Sequence, residues 1–294
     1  MNKIVAPLVS VVIPTYNHGA YLKKAISSVL NQNYENYEII VIDNHSTDNT
    51  HEVISSFNND RIQYLKIHNN GVIAKSRNVG VRASNGQWIA FLDSDDWWTK
   101  DKLKTCMHHT KNDVDLIYHD LEITSNKRRP FKRKTIKTRQ LKRPVLIDLL
   151  VNGNPISNSS VIVRKKILEK IGLIDECNEL VAAEDYNTWL LISNLTDQFL
   201  YLPKRLGYYL IHDQSISKKD MSLPYRQATY KFLSAINNKQ KIKLESTIRY
   251  LSGRFNYLNF NYSKAKKDLL FTLHNGSVFL KLKALFMIIM ITFK

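Results

Sequence analysis

Within the first hundred residues, short β-branched runs alternate with stretches of helical spacing, and that alternation restricts the fold more than any other feature of this chain. Val9-Ser10-Val11-Val12-Ile13 reads as a buried strand that Pro14 ends. Tyr21, Leu22, Ala25, Ile26 and Val29 then recur at helical spacing. Tyr37 to Ile42 predicts a second strand closing in Asp43-Asn44, with Ser46 or Thr47 capping a helix that runs to about Phe57. Ile62 to Ile67 predicts a third strand, Ile73 to Ala83 a helix, and Trp88 to Leu92 a fourth strand. Strand-helix units of this length build an α/β fold, a mainly parallel sheet with helices on both faces.

In such sheets ligands bind outside the carboxyl ends of the strands. Three polar segments fall there: Pro14-Thr15-Tyr16-Asn17, Asp43-Asn44 and Asp93-Ser94-Asp95-Asp96. Like charges as close as those of Asp93, Asp95 and Asp96 raise each other's pKa, so a positive group is expected among them. An acidic turn opening a helix would explain that run by itself, but its convergence with two other strand ends favours a site. Residues two apart in a strand share a face, so Asp93 and Asp95 are expected to aim to the same side. One or two carboxylates completed by phosphate oxygens suit Mg²⁺ or Mn²⁺. Neither GxGxxG nor GxxxxGK[ST] occurs, which argues against a dinucleotide or P-loop site.

The net charge of +17 is concentrated in two places. Residues 127–143 carry +10 and residues 216–294 carry +12, leaving the rest slightly acidic. A basic loop and a basic tail on a near-neutral body point to a polyanionic partner, nucleic acid or anionic lipid. Cys106 and Cys177 have neither disulfide nor zinc-site spacing, which fits a reducing compartment. The opening MNKIVAPLVS lacks an apolar signal core, so export is not expected. From about residue 222 the chain reads as helices. Its uncharged run from Ala284 to Phe293 is ten residues, half of the roughly 20 that span a bilayer. A last helix lying in a membrane interface, with Lys281, Lys283 and Lys294 near its ends, is the favoured expectation; packing on the protein body or a dimer partner is the alternative.

Three stretches, "VSVVIPTYNHGAYLKKAISSVLNQNYENYEIIVIDNHSTDNT", "GVIAKSRNVGVRASNGQWIAFLDSDDWW" and "AAEDYNTWLLI", resemble the family 2 inverting glycosyltransferases of GT-A fold in order and spacing. The resemblance covers about residues 8–215. It implies a Rossmann-like catalytic domain over 1–220, with a nucleotide-binding half near 8–105, an acceptor half near 106–215, and a basic helical extension over 221–294. It also implies transfer of a sugar from a nucleoside diphosphate sugar to a hydroxyl, with inversion at the anomeric carbon. Many such enzymes in bacteria build surface polysaccharide on a lipid diphosphate, which implies a lipid-linked glycan acceptor and a peripheral position on the inner face of the cell membrane.

The resemblance implies roles residue by residue. Pro14, Thr15, Tyr16 and Asn17 would line the nucleoside, and Asp43 and Asn44 the base. Arg77 would pair with phosphate or base, and Asp93 with Ser94 would hold the ribose. Asp95 and His212 would meet a Mn²⁺ or Mg²⁺ ion bridging the diphosphate, with Asp96 as support or helix cap. Asp185 would be the base that takes the acceptor proton, Glu184 its support, and Trp97 and Trp98 acceptor contacts. Two departures stand out. The family's DDGS is Asp43-Asn44-His45-Ser46 here, where the carbonyl oxygen of Asn44 can still accept from uracil, so a UDP-sugar remains favoured. The family's YRxH is Tyr209-Leu210-Ile211-His212, so an arginine is missing; either Lys204 or Arg205 substitutes for it, or His212 matters less here. The rival readings are a nucleotidyltransferase, against which the Glu184-Asp185 pair argues, and a non-catalytic membrane- or nucleic-acid-binding module, against which Asp93, Asp95 and Asp185 argue. No nucleic-acid partner is expected, and the oligomeric state is open.

Overall fold

The computed structural model describes residues 6–110, 113–125, 134–136, 138–212 and 219–293. The first half of the chain alternates β1 (Val9–Thr15), α1 (Gly19–Leu30), β2 (Tyr37–Asp43), α2 (Thr50–Ser55), β3 (Ile62–Lys66), α3 (Ile73–Ala83) and β4 (Trp88–Phe91). There follow β5 (Trp97–Trp98), α4 (Lys102–His108), β6 (Leu116–Ser125), β7 (Lys134–Ile136) and α5 (Val145–Asn152). Then come β8 (Ile162–Arg164), α6 (Lys165–Lys170), α7 (Glu184–Ser193) and β9 (Phe199–Ile211). Four helices close the chain: α8 (Ser222–Tyr230), α9 (Asn238–Leu258), α10 (Tyr262–Asn275) and α11 (Val278–Thr292). The elements divide into two compact units, one of Met1–Gln140, Pro155–Glu176 and Gln198–Asp213, the other of Leu141–Asn154, Cys177–Asp197 and Gln214–Lys294. Much of the basic segment expected as a loop over 127–143 lies outside the described residues, as does Lys294.

The first unit holds one sheet in the order β3-β2-β1-β4-β8-β6-β9-β5, with β7 on β6. Its first four strands are parallel, as the alternation predicts. Every residue of β1 and β4 is buried, the signature of strands covered on both faces. Beyond β4 the sheet is mixed, because β8 runs antiparallel to both β4 and β6 while β6 and β9 are parallel. Six of the nine described strands, β1, β2, β3, β4, β6 and β9, therefore run in one direction, as the mainly parallel expectation has it, and β5, β7 and β8 run against them. Leu22, Ala25, Ile26 and Val29 of α1 pack into the sheet's core as their spacing predicts. In α3, a Cβ at Gly80 would come within 2.5 Å of Val12 Cγ1, so the missing side chain sets how closely that helix meets the sheet. Helix α2 starts later than expected. Ser46 is drawn back to Asp43, leaving Asn49 at the N-cap position.

The second unit is helical. Asn237 and Gln240 form a reciprocal capping box that starts α9. The ring of Tyr186 in α7 stacks on Tyr225 in α8 at 4.3 Å, and its hydroxyl donates to the Leu149 carbonyl of α5 at 3.0 Å. Tyr250, Ala265, Leu269 and Ala284 make the core shared by α9, α10 and α11, with Leu280, Met287, Ile288 and Ile291 packed against it. One face of α11 is therefore spent on packing. No helix among the described residues is long and apolar enough to cross a membrane.

A buried lysine lies in the first unit. Lys102 is fully buried, its Nζ 3.3 Å from the centroid of the Trp98 ring and without a hydrogen-bond partner. Burial pulls its amine down to about 7, and the neighbouring His119 imidazole, buried beside it, down to about 3. An unfolded lysine keeps its proton up to about 10.4, so the unfolded chain binds more protons between those values. Stability should thus rise from pH 7 to pH 10, with the full penalty present below about 7. Lys102→Met should raise stability at pH 7 by about 1–4 kcal/mol, the range for apolar replacement of buried charge, and should flatten that pH dependence. Denaturant melts at pH 7 and pH 9 check both; an unchanged or lower midpoint would mean that the amine makes a stabilising contact.

Candidate active site

The carboxyl ends of β2, β1 and β4 lie side by side, with Thr15 opposite Asp43. Pro14 and Thr15 are buried in β1, whereas Tyr16, just beyond, is 53% exposed. The hydroxyl of Thr15 is buried without a hydrogen-bond partner. Asn17, in the left-handed region at φ 51°, ties two loops together. Its N–H donates to Ser46 Oγ at 2.8 Å, and its Oδ1 accepts from the Thr47 N–H at 2.8 Å. Asp43 is fully buried and accepts three hydrogen bonds. Its Oδ1 accepts from the Ser46 N–H at 2.9 Å and from Ser46 Oγ, and its Oδ2 accepts from the Tyr64 hydroxyl at 2.7 Å. Burial, then the Asp43 carboxylate, push the Tyr64 phenol well up. Asn44 Oδ1, expected to meet uracil, accepts from the Asn69 N–H at 2.8 Å. One lone pair of that oxygen remains for a ligand.

The acidic run is a turn, not the end of a strand. The Asp96 N–H donates to the Asp93 carbonyl at 3.0 Å, so the shared-face argument for Asp93 and Asp95 does not apply. Each carboxylate has its own partner. Asp93 Oδ1 lies 2.8 Å from Arg77 Nη2 and accepts from Asn158 Nδ2 at 3.1 Å. Arg77 is only 4% exposed. It is the expected positive group, and its guanidinium meets a carboxylate. Asp95 Oδ2 lies 2.9 Å from His212 Nε2. Burial, then the charge of Asp93, hold the Asp95 carboxyl above its ordinary range, against the pull of His212. Asp96 is buried, and its Oδ1 accepts from the Leu210 N–H at 3.0 Å, anchoring β9 two residues before His212. Burial and its two acidic neighbours push it well above the carboxylate range. This is a fastening, not a ligand.

Sequence reasoning missed the group around His212. Tyr21 stacks on its ring at 5.2 Å, and His18 meets it edge-on at 5.9 Å while bonding Ser94 Oγ through Nδ1 at 2.8 Å. Burial first, with His212 adding to it, lowers the His18 imidazole. Ser94 is buried and faces His18. Asn158 and Ser159 were missed as well, with Ser159 Oγ accepting from the Asp93 N–H at 3.1 Å. The "PTYNH" run contains His18, but nothing in "ISNSS" announces a contact sixty residues away; the antiparallel pairing of β8 with β4 brings that segment in.

Trp98 corrects one expectation. It is 4% exposed and its Nε1 donates to the Ser159 carbonyl at 2.8 Å, so it is a core residue and offers no surface to an acceptor. Trp97 is half-buried, with Lys24 Nζ 3.1 Å from its ring centroid and Tyr208 stacked at 5.2 Å. Arg205 lies 3.9 Å from Glu122, and Lys204 is exposed. Glu184 and Asp185 open α7 in the second unit. Glu184 is buried; Asp185 is half-buried, and its Oδ1 accepts from the Tyr186 N–H at 2.6 Å.

Among the described residues no three His, Cys, Asp or Glu side chains form a metal cage. Asp95 and His212 nevertheless supply an oxygen and a nitrogen at one point. Magnesium and manganese sites in nucleotide enzymes take one or two protein ligands and fill the rest with phosphate oxygens and water. The pair fits a cation that arrives with a diphosphate, and a positive ion there would offset the cost of burying Asp95 beside Asp93.

Residues 10–172 match the model of the family "Glycosyl transferase family 2", a stretch that includes Arg77, Asp93 and Asp95 and ends before Glu184. The UDP-Glc:alpha-D-GlcNAc-diphosphoundecaprenol beta-1,3-glucosyltransferase WfgD of Escherichia coli is 31% identical over 63% of this chain and 69% of its own. An uncharacterized glycosyltransferase of Nostoc is 29% identical over 69% of this chain. The match spans 65% of that relative's length, just under two thirds. Among solved structures, S. aureus TarS 1–349 in complex with UDP-GlcNAc superposes with a TM-score of 0.66 at 19% identity, over 91% of this chain and 81% of that one, a likeness of fold. The parallel strand ends, the acidic turn after β4 and the family match agree: this chain belongs to glycosyl transferase family 2 and has the GT-A fold.

Proposed function

We propose that the chain transfers a hexose from a nucleoside diphosphate sugar, preferentially a UDP-sugar, to a hydroxyl of a lipid-linked glycan, with inversion, in the assembly of bacterial surface polysaccharide. The observation that carries this reading is the pairing of Asp93 with Arg77 and of Asp95 with His212 at the carboxyl ends of parallel strands in a family 2 chain. The lipid-linked acceptor draws support from the printed activity of the Escherichia coli relative, which acts on a diphosphoundecaprenol-linked sugar. A cytoplasmic site of action, peripheral on the membrane's inner face, belongs to the same reading and follows from that acceptor.

In this reading Tyr16 borders the nucleoside, and Asp93, held by Arg77 and Asn158, orients the ribose. Asp95 and His212 would hold Mg²⁺ or Mn²⁺, which would supply Lewis-acid stabilisation of the diphosphate leaving group. Inversion by a single displacement needs a base on the side opposite the departing diphosphate. Asp185 is assigned that proton, with Glu184 beside it as support. The amide of an asparagine at 185 preserves shape and removes basicity.

Asp185→Asn should therefore keep nucleotide binding and lose transfer by roughly 10²–10⁴-fold, the usual worth of a general base. Steady-state kinetics beside calorimetry with UDP separates the two; a loss of less than about tenfold would move the base to another residue, Glu184 first. Asp95→Ala should abolish the metal-dependent part of nucleotide binding while leaving the melting temperature close to that of the parent. Chelation with EDTA should stop transfer, and added Mn²⁺ or Mg²⁺ should restore it. Full turnover in chelator would remove the ion from the reading.

A further inference from the structure

Helix α11 is apolar nearly all round, and the structure divides that surface in two. Ala284 is fully buried against α9 and α10, and Leu280, Met287, Ile288 and Ile291 pack beside it. Seven other apolar residues face outward: Val278, Phe279, Leu282, Leu285, Phe286, Ile289 and Phe293 are between 41% and 82% exposed. At 3.6 residues per turn these fall within about 120° of arc, opposite the packed side. Lys281 and Lys283 stand at the two edges of that arc. Lysines there can keep their charge in water while their stems lie along apolar material.

Beside the exposed face lies a groove of about 470 Å³, lined among others by Tyr250, Arg254, Phe279, Lys283 and Phe286. Lys283 Nζ is 4.1 Å from the Phe279 ring centroid and 6.0 Å from that of Tyr250. Burial first, then the charge of Arg254, lower the Lys283 amine, so the two cations feel each other. Among the described residues neither is paired with a carboxylate. Residues 219–293 contain three acids, all engaged elsewhere. Glu245 pairs with Arg226 at 2.8 Å and with Arg249 at 3.0 Å. Asp268 accepts from Ser252 Oγ at 2.7 Å, and Asp220 from the Ser222 N–H at 2.9 Å.

We infer that the outer face of α11 docks on an anionic lipid bilayer, with Arg254 and Lys283 forming a site for a lipid phosphate headgroup at the edge of the inserted aromatic face. An apolar arc bordered by cations, with no acid to neutralise them, complements a surface that is apolar within and negative at its rim. A second copy of the chain would bring more lysine to the same face. Nucleic acid would leave Phe279, Phe286 and Phe293 in water. The inference rests on the membrane partner named in the proposed function, but its test involves no transfer step.

The test is co-sedimentation of the full-length chain with vesicles of phosphatidylcholine alone or mixed with phosphatidylglycerol. The chain should partition onto the anionic vesicles and far less onto the neutral ones, with high salt releasing part of it. Replacing both cations (Arg254→Gln with Lys283→Gln) should weaken binding roughly thirtyfold, at about 1 kcal/mol per charge. Phe279→Ser with Phe286→Ser should remove the salt-resistant part; both positions are exposed, so helicity and melting temperature should hold. Failure of the intact chain to sediment, or sedimentation unchanged in both double variants, overturns the inference. A concentration-dependent dimer that the phenylalanine variants dissolve would assign the face to a second copy, and tighter binding to single- or double-stranded nucleic acid than to vesicles would assign it there. Transfer to a short soluble acceptor should be the same in all these variants, which separates failure of docking from failure of the proposed activity.

Discussion

Three carboxylates in four residues cannot sit at the end of a buried strand unless each finds a separate partner, and the arrangement of the first unit follows from that constraint. Asp93 takes Arg77 and Asn158, Asp95 takes His212, and Asp96 takes the backbone N–H of Leu210. These partners arrive from α3, from the segment before β8 and from the end of β9. Removing the charge of Arg77 would take that ion pair from Asp93 and leave its charge acting on Asp95 and Asp96. Asp96 makes a different contribution. Its carboxyl is pushed far up, and it serves mainly as an acceptor that holds β9 in place. The turn thus combines an ion pair, a carboxyl raised by burial and met by an imidazole, and an anchor.

The loops after β1 and β2 show the same economy. Asp43 accepts from Ser46 and Tyr64, and those bonds shape the loop after β2. Asn17 bridges the loops after β1 and β2 with both its backbone and its side chain, in a conformation that asparagine tolerates better than most residues. Exposed Tyr16 is carried on that rigid pair of loops. Around His212, the rings of Tyr21 and His18 restrict the imidazole that meets Asp95. In the proposed reading, a second layer of contacts of this kind would orient the two residues assigned to the cation.

The helical unit meets a different physical demand. Glu245 and Asp268 are engaged by Arg226, Arg249 and Ser252, which ties α8 to α9 and α9 to α10. The remaining lysines and arginines stay in excess, so the unit carries an uncompensated positive field. Charge and exposed apolar surface then occur together on α11, a combination costly in water and favourable at an anionic interface.

Periodicity and punctuation in the first hundred residues determined four parallel strands, their helices and the polar segments at their ends, because local hydrophobic spacing and Pro14 act over a few residues. The acidic run was legible from three carboxylates at a strand end, whereas Arg77 and His212 became candidates through the family resemblance. What each of them touches was decided only by the tertiary structure. The reversed direction of β8, the turn that separates Asp93 from Asp95, the burial of Trp98 and the contributions of His18, Asn158 and Ser159 depend on segments tens of residues apart. For α11 the sequence showed an apolar run too short to span a bilayer but no preferred face, since its residues are apolar around the whole circumference. Packing of Ala284 against α9 and α10 made one side core and left the other, bordered by Lys281 and Lys283, in water.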